Sequence, residues 1–332
     1  MTSRFLLYAM PLLVLFTAIS LAEPWIYRQF ADTDIDDLAG KEFVIIAHKG
    51  NSEHAPENTL RAIQEALDMR VDMIEIDVRH TKDEELIVFH DQTLDRVARD
   101  SLGNKITDPD TYLEIETTDV HDYTYEELMQ FDVGIHFASP YAGERIPTLK
   151  QVLDLVYEHN SKENDDVVVL CEIKHMDHPH YHDFAEKMVE AIKNEPNGED
   201  WIFVQSYEND YLEDIHEMDS LIQTKQLMIG EDSKPLIAFY SETRVHLGHA
   251  KESNRMKALN PEWKTLSPRR VFRMHARGYE VYTYADNPDE LVERDDMLKM
   301  LNAGVDGIIT NNPKELLEIR DEIRALPVES EE

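Results

Sequence analysis

Three carboxylates of this 332-residue sequence lie within or directly after apolar runs, which argues against ordinary exposed positions. Glu75 and Asp77 alternate with isoleucine in the run MIEIDV, so both point to one face of a strand. Glu172 follows five apolar residues. Carboxylate oxygens are the ligands that hard cations prefer, and the three residues therefore predict a site for Ca²⁺ or Mg²⁺.

Two histidines and two lysines extend this set. His48 and His90 each follow an apolar run, at the point where a strand would give way to a loop. A single histidine in such a place is more often structural, but a pair can act as general base and general acid on opposite sides of a phosphorus centre. Lys49 and Lys174 can neutralise phosphate oxygens. Together these residues predict cleavage of a phosphodiester.

The elements that must position these side chains follow a repeating strand and helix pattern. The pattern covers roughly 280 residues, the usual size of one α/β barrel. We therefore predict an α/β fold, a TIM (β/α)8 barrel, with an extended polar segment at residues 92–143, after the second strand. Because the carboxyl ends of barrel strands meet at one mouth, His48, Glu75, Asp77 and Glu172 are expected to converge there.

Two stretches leave alternatives open. Residues 231–256 combine a candidate strand at 236–240 with a polar remainder that has the composition of an inserted lid or loop. A histidine cluster directly after the third carboxylate is interpreted as a polar loop, with a second metal site or a substrate-contacting lid as alternatives. The cluster comprises His175, His178, His180 and His182.

The amino terminus predicts export. Residues 5–22 are apolar after a basic start, which is typical of a signal peptide, cleaved after Ala22, or of a retained membrane anchor. The protein is thus expected in the periplasm or outside the cell, or tethered to the membrane through residues 5–22. The predicted divisions are a signal or anchor (1–22), a linker (23–40), the barrel (41–320) and an acidic tail (321–332).

The amino-acid composition limits the classes of molecule that this protein can bind. The sequence has 68 acidic and 33 basic residues, a net charge of −35, which argues against nucleic acid as a partner. Cys171 is the single cysteine, so no internal disulfide forms. Its apolar neighbours predict a buried strand position.

Several segments resemble the glycerophosphodiester phosphodiesterase family. They include AHKG, APENTL, EIDV, TKDEELIVFHD and LDR in the first third, and GERIPTLKQVLDLV, CEIK, QSY, HARGYEVYTYADN and AGVDGIITNNP beyond it. The resemblance implies a TIM barrel of the phosphodiesterase type with His48 and His90 as the catalytic pair and a divalent ion on the three carboxylates. It also implies that Lys174 faces the phosphate and that Glu57 and Asn58 form an entrance-loop motif.

Three of these motifs depart from the family pattern. Lys49 stands where the family usually has arginine, so charge is kept but the bidentate fork is lost. Tyr282 and Tyr284 supply the aromatic surface where a tryptophan is usual. Asn311 and Asn312 stand where an aspartate is common, which we expect to be a local capping difference.

The leading hypothesis is a metal-dependent hydrolase that converts a glycerophosphodiester to glycerol 3-phosphate and an alcohol. A second hypothesis keeps this site but takes lysophospholipids at the membrane, as a lysophospholipase D. A third is a catalytically silent protein that binds phosphate esters, motivated by the departures at Lys49 and Tyr284. The presence of both histidines and all three carboxylates argues against it.

Overall fold

Strands and helices alternate through much of the described part of the chain. The computed structural model describes residues 18, 22–29, 31, 33–108, 110–111, 113–174, 183–228, 258–285 and 292–327. Within these residues the strands are β1 (Val44–His48), β2 (Met73–His80), β3 (Leu86–Val88), β4 (Val168–Ile173), β5 (Ile202–Ser206), β6 (Thr224–Met228), β7 (Ala258–Pro261), β8 (Glu280–Tyr284) and β9 (Gly307–Thr310).

The strands form one sheet that closes on itself. Their hydrogen-bonded order is β1-β9-β8-β7-β6-β5-β4-β2-β3, and β1 also pairs with β2. β3 is antiparallel to β2, whereas β1 and β4 run parallel to it. This topology, with eight strands in the closed ring, is that of the predicted TIM barrel.

Helices alternate with the strands. They are α1 (Leu60–Asp68), α2 (Tyr125–Leu128), α3 (Leu149–Glu163), α4 (Phe184–Lys193), α5 (Gly198–Trp201), α6 (Asn209–Met218), α7 (Pro268–His275), α8 (Arg294–Asn302) and α9 (Pro313–Ala325). Residues 22–29 are helical as well. Helix starts follow side-chain caps that the sequence supplies: Thr59 accepts from the backbone N–H of Ala62, and Thr148 forms a capping box with Gln151.

The chain divides into two compact units. Unit 1 takes the described residues within 1–44, 226–308 and 318–332, and unit 2 those within 45–225 and 309–317. In unit 1, residues near the amino terminus form hydrogen bonds with other parts of the same unit. The Tyr27 hydroxyl donates to the carbonyl of Lys299 at 2.8 Å, and the Glu23 carboxylate accepts from Ser267 and Arg269 at 3.0 and 3.2 Å.

Unit 2 contains the predicted extended segment, which has an apolar core of its own. The core includes Leu94, Val97, Leu128 and Phe131, all almost fully buried. The carboxylate of Asp132 accepts from the backbone N–H groups of Gly134, Ile135 and Gly143 at 2.7–2.9 Å. The segment is therefore a packed structure and not a loose loop.

The sequence predictions miss some elements. β7 (Ala258–Pro261) was not predicted, because its sequence ALNP is short and ends in proline, which is uncommon within strands. α9 was not predicted either, and it runs to Ala325, so the predicted boundary at residue 320 falls inside a helix. The candidate strand at 236–240 lies outside the described residues.

The sequence also predicts the burial of Cys171 and a signal peptide or membrane anchor at residues 5–22. Cys171 is fully buried in β4, as predicted. Among the described helices none is both long and apolar enough to cross a membrane. Most of the predicted signal or anchor at residues 5–22 lies outside that part of the chain.

Candidate active site

Strand register brings the three carboxylates of the predicted metal site together. In the parallel pair of β2 and β4, Asp77 lies opposite Glu172, and in the pair of β1 and β2, Glu75 lies opposite His48. One ligand oxygen from each of Glu75, Asp77 and Glu172 lies within 4.8 Å of the others, and all three residues are buried. The alternation of side chains along β2 therefore aims both of its acids at the same point as Glu172.

The electrostatics of this cluster suit a cation. Burial and the neighbouring carboxylates Asp77 and Glu172 raise the pKa of Glu75 well above its usual value. Burial also raises the pKa of Glu172. Lys174 forms ion pairs with two of the three buried acids, and Lys49 adds a second positive charge nearby. The acids still outnumber these two cations, and the all-oxygen donor set fits a hard divalent ion.

Lys174 follows β4 and pairs with two of these acids. Its Nζ lies 2.9 Å from Asp77 Oδ1 and 2.6 Å from Glu172 Oε1. Burial opposes the ionisation of Asp77, but the Lys174 charge outweighs it and holds the pKa of Asp77 well below its usual value. Burial likewise disfavours the charged form of Lys174, and the acids around it raise its pKa on balance. Lys174 is thus a cation held beside the cluster.

Asn58 orients one of the predicted metal ligands. Its Nδ2 donates to Asp77 Oδ2 at 2.6 Å, and its Oδ1 accepts from the backbone N–H of Asp77 at 3.2 Å. Asn58 has a left-handed backbone with φ of 58°, a conformation that asparagine tolerates better than most residues. The motif containing Asn58 therefore positions Asp77 directly, and its role in substrate binding stays a prediction.

His48 is held by a residue from the last strand. Its Nδ1 lies 2.5 Å from Oδ1 of Asn311, which follows β9, and Ser52 donates to the same oxygen at 3.1 Å. Nε2 of His48 lies 3.8 Å from Oε2 of Glu75. Burial, reinforced by the charge of Lys49, lowers the pKa of His48 to about 3, so the imidazole is neutral at neutral pH.

His90 is held by its neighbour in the sequence. Its Nδ1 lies 2.6 Å from Oδ1 of Asp91. Burial of Asp91 is outweighed by its contacts with His90 and Arg96, which keep its pKa below the usual value. An ionised carboxylate can only accept, so His90 Nδ1 donates and Nε2 is the ring nitrogen left for chemistry.

Lys49 and Glu57 contact each other beside these histidines. The Lys49 Nζ lies 3.4 Å from Glu57 Oε1, and its backbone N–H donates to Glu75 Oε2 at 3.2 Å. Lys49 and Gly50 both have positive φ, and a Cβ on Gly50 would lie 2.6 Å from the backbone of Ala62. The AHKG sequence thus builds a tight turn against α1. Phosphate binding by Lys49 and Glu57 stays a prediction.

Two aromatic residues were also predicted to contact the substrate. Tyr282 and Tyr284 belong to unit 1, where their hydroxyls donate to Glu280 Oε2 at 3.0 Å and to the carbonyl of Met228 at 2.9 Å. Their substrate-binding role stays a prediction. The histidine cluster at residues 175–182 lies outside the described residues.

Several residues around the site were not identified from the sequence. Asn311 was expected to differ only in capping, which is wrong, because its side chain contacts His48. The capping role falls to Asn312, whose Oδ1 accepts from the N–H of Glu315 at 3.1 Å. Arg96 and Asp91 were not assigned roles, although both stand in segments that carry the family resemblance.

Known proteins resemble this chain in sequence. The model of the glycerophosphoryl diester phosphodiesterase family matches residues 48–315. A glycerophosphodiester phosphodiesterase of Caldanaerobacter subterraneus subsp. tengcongensis is 32% identical over 279 residues, covering 83% of this chain and 97% of that protein. One of Bacillus subtilis is 26% identical over 292 residues, covering 83% and 86%.

Solved structures resemble the fold. A phosphodiesterase of Oleispira antarctica, in complex with the product sn-glycerol-3-phosphate, has a TM-score of 0.63 at 19% identity and covers 86% of this chain and 99% of its own. The glycerophosphodiester phosphodiesterase of Thermotoga maritima has a TM-score of 0.57 at 20% identity, covering 84% and 100%. At these identities the likeness supports the barrel fold.

Proposed function

Because the chain belongs to the glycerophosphoryl diester phosphodiesterase family, we propose that it hydrolyses glycerophosphodiesters to glycerol 3-phosphate and an alcohol. The observation that carries this proposal is the strand register that sets His48 beside Glu75 and Asp77 beside Glu172. The names of the relatives and the product bound to the Oleispira antarctica enzyme support the same substrate class.

The three carboxylates are assigned to a divalent cation, Ca²⁺ or Mg²⁺. Glu75, Asp77 and Glu172 supply oxygen donors, and Asn58 fixes the orientation of Asp77. A bound cation would offset the negative charge of the phosphoryl oxygens and make the phosphorus atom a better electrophile. Lys174 and Lys49 are assigned to the remaining charge of the phosphate.

The two histidines are assigned to proton transfer. One imidazole takes the proton of the attacking oxygen as the new O–P bond forms. The other gives a proton to the alcohol oxygen as the old P–O bond breaks, so the leaving group departs neutral. Nδ1 of His48 and Nδ1 of His90 are occupied by Asn311 and Asp91, and this leaves the Nε2 atoms for these transfers.

The test is release of glycerol 3-phosphate from glycerophosphocholine by purified protein. Wild type is expected to be active, EDTA to abolish activity, and Ca²⁺ or Mg²⁺ to restore it. His48→Ala and His90→Ala are each expected to lower kcat by at least about 100-fold, the usual contribution of a general acid or base. His159→Gln, which removes a histidine paired with Asp165 at 3.5 Å, is the matched control and is expected to keep its activity.

Two results would overturn parts of this proposal. Activity that survives EDTA and both histidine substitutions would exclude the assigned mechanism. Hydrolysis of lysophosphatidylcholine with none of glycerophosphocholine would exclude the proposed substrate and favour a lysophospholipase D.

The amino terminus supports a proposal about location. The apolar residues 5–22 after a basic start are consistent with export, either with cleavage after Ala22 or with a retained membrane tether. Amino-terminal sequencing of the protein from cell fractions tests this. A mature chain beginning at Glu23 supports cleavage, an intact chain in the membrane fraction supports the tether, and an intact chain in the cytosol contradicts both.

A further inference from the structure

The side chain of Arg96 joins two carboxylates through all three of its nitrogens. Nε donates to Asp91 Oδ2 at 2.6 Å, while Nη1 and Nη2 donate to the two oxygens of Glu57 at 2.8 and 2.6 Å. The Glu57 contact is a parallel, bidentate pair of charge-assisted hydrogen bonds, which fixes direction as well as distance. Lysine, with one nitrogen, cannot reproduce this geometry.

Each of these carboxylates also contacts a residue of the candidate active site. The other oxygen of Asp91 lies 2.6 Å from Nδ1 of His90, and Glu57 Oε1 lies 3.4 Å from Nζ of Lys49. A continuous series of contacts within unit 2 therefore links Lys49, Glu57, Arg96, Asp91 and His90. We call these five residues the Arg96 network. One guanidinium thus lies between a proposed proton-transfer residue and a proposed phosphate-binding residue.

The extended segment holds Arg96 in this place. Leu94, Val97 and Ala98 around it are almost fully buried, and the N–H of Ala98 donates to the carbonyl of Leu94 at 2.9 Å. The carbonyl of Arg96 accepts from the side chain of Arg99 at 3.0 Å. The backbone that carries the guanidinium is therefore fixed both by apolar packing and by hydrogen bonds.

Charge balance explains what Arg96 does for both ends of the network. Glu57 and Asp91 would repel each other without a cation between them. Glu57 would then have only Lys49 among the cations of the network, and that ammonium would be drawn from a substrate phosphate. Asp91 would lose the contact that fixes the carboxylate orientation in which it accepts from His90.

We propose that Arg96 is a positioning residue that orients His90 through Asp91 and leaves Lys49 available to phosphate through Glu57. This inference rests on the proposed function and adds to it a residue whose three side-chain nitrogens are engaged by Asp91 and Glu57. It predicts two separable effects of losing the guanidinium, a lower kcat from the His90 side and a higher KM from the Lys49 side.

The first experiment measures kcat and KM for glycerophosphocholine in Arg96→Lys and Arg96→Ala. Loss of a residue that orients a catalytic group costs about 10 to 100-fold, so kcat is expected to fall by that factor and KM to rise several-fold. Arg61→Lys is the matched control, because Arg61 is an exposed arginine paired with Glu65 on α1, and it is expected to stay within about twofold.

Single substitutions separate the His90 side of the Arg96 network from its Lys49 side. Asp91→Asn is expected to lower kcat with little change in KM, and Glu57→Gln to change KM more than kcat. Combining either with Arg96→Ala is expected to give less than the product of the single effects, since each pair acts through one contact. Full multiplicativity in both double variants would overturn the network.

Chemical rescue distinguishes positioning from a merely structural role. The Arg96 side chain is 43% exposed, so a small cation can reach the space that Arg96→Ala leaves. Methylguanidinium is expected to restore kcat at least several-fold, whereas methylammonium, which has the same charge without the planar fork, is expected to restore much less. A lowered Tm with no rescue would assign Arg96 to stability alone.

A readout without turnover keeps this inference distinct from the proposed function. The ring ¹⁵N signals of His90 are expected to show a proton fixed on Nδ1 in wild type and a loss of that preference in Arg96→Ala. Unchanged signals would contradict the inference even if the enzyme acts on another substrate. An inactive wild type with the expected change in these signals would contradict only the substrate assignment.

Discussion

Nδ1 of His48 lies 2.5 Å from Oδ1 of Asn311, a residue 263 positions further along the chain. The first and last strands of the described sheet are neighbours, and this pairing brings the two residues together. An amide oxygen in this place accepts the Nδ1 proton and leaves Nε2 as the basic nitrogen of the ring. The closure of the barrel thus determines the tautomer of His48.

Asn311→Leu is expected to lower kcat by about 10 to 100-fold. The substitution leaves the half-buried N–H of His48 without its acceptor, at a cost of about 1 to 3 kcal/mol. Each 1.4 kcal/mol corresponds to about tenfold in rate. Steady-state kinetics with glycerophosphocholine measures this effect.

Asn312→Ala is the control for that experiment. Asn312 caps α9 through the N–H of Glu315 at 3.1 Å. Loss of a cap costs about 0.5 to 2 kcal/mol in stability, so Tm is expected to fall while kcat stays near the wild-type value. Equal kinetic losses in both variants would mean that Asn311 acts through α9 and not through His48.

The carboxylates of the site could be predicted because their signal is local. Glu75 and Asp77 alternate with apolar residues in a single strand, and period-two alternation places both on one face. Glu172 follows an apolar run in the same way, and the parallel register then aligns it with Asp77. Each of these signals spans only a few residues of sequence.

Contacts between distant segments could not be predicted in the same way. The bidentate contact between Arg96 and Glu57 joins residues 39 positions apart in the sequence. It depends on how the extended segment packs around Leu94 and Val97. The contact from Asn311 to His48 depends on closure of the sheet. Neither relationship has a periodic signature, because both are set by tertiary packing.

Asn58 offers a pair of variants that separates its backbone from its side chain. Asn58→Gly keeps the left-handed conformation but removes both contacts with Asp77. Asn58→Ala removes the contacts and adds about 1 kcal/mol of strain. Both are expected to bind Ca²⁺ or Mg²⁺ about 10 to 100-fold more weakly, as is usual for the loss of a residue that orients a ligand.

Thermal unfolding then distinguishes the two Asn58 variants. Asn58→Ala is expected to have the lower Tm, because glycine adopts positive φ without the steric cost that alanine has. Calorimetric titration with each ion gives the affinities. Wild-type affinity in Asn58→Gly would show that Asp77 is oriented without the asparagine.

Glu75→Gln tests the charge of the proposed metal site at nearly constant shape. Removal of one of three acids is expected to weaken the binding of Ca²⁺ or Mg²⁺ by at least about tenfold, since hard cations depend on ligand charge. Calorimetric titration of the metal into apo protein measures this. Glu158→Gln, at an exposed residue that pairs with Lys162 at 3.1 Å, is the control and is expected to bind as wild type does. Equal binding by both variants would exclude Glu75 as a ligand.

The pairing of Glu57 with Arg96 predicts a dependence of stability on acid pH. Burial alone would raise the pKa of Glu57, but the hydrogen bonds from Arg96 and the charge of Lys49 lower it to about 2, from an ordinary value of 4.5. The folded state therefore binds this proton less tightly than the unfolded state. The ionised carboxylate stabilises the protein above about pH 4.5, by on the order of 3 kcal/mol, and this contribution is lost as the pH falls toward 2.

Urea unfolding of wild type and Glu57→Gln between pH 7 and pH 2.5 measures this contribution. The difference in unfolding free energy between the two proteins is expected to be largest near neutral pH and to shrink steadily below pH 4.5, since the glutamine cannot ionise. In an Arg96→Gln background the same comparison is expected to show a much smaller change with pH, because the main group that lowers the pKa of Glu57 is gone. A pH dependence that persists unchanged in that background would mean that Lys49, and not Arg96, dominates the charge balance around Glu57.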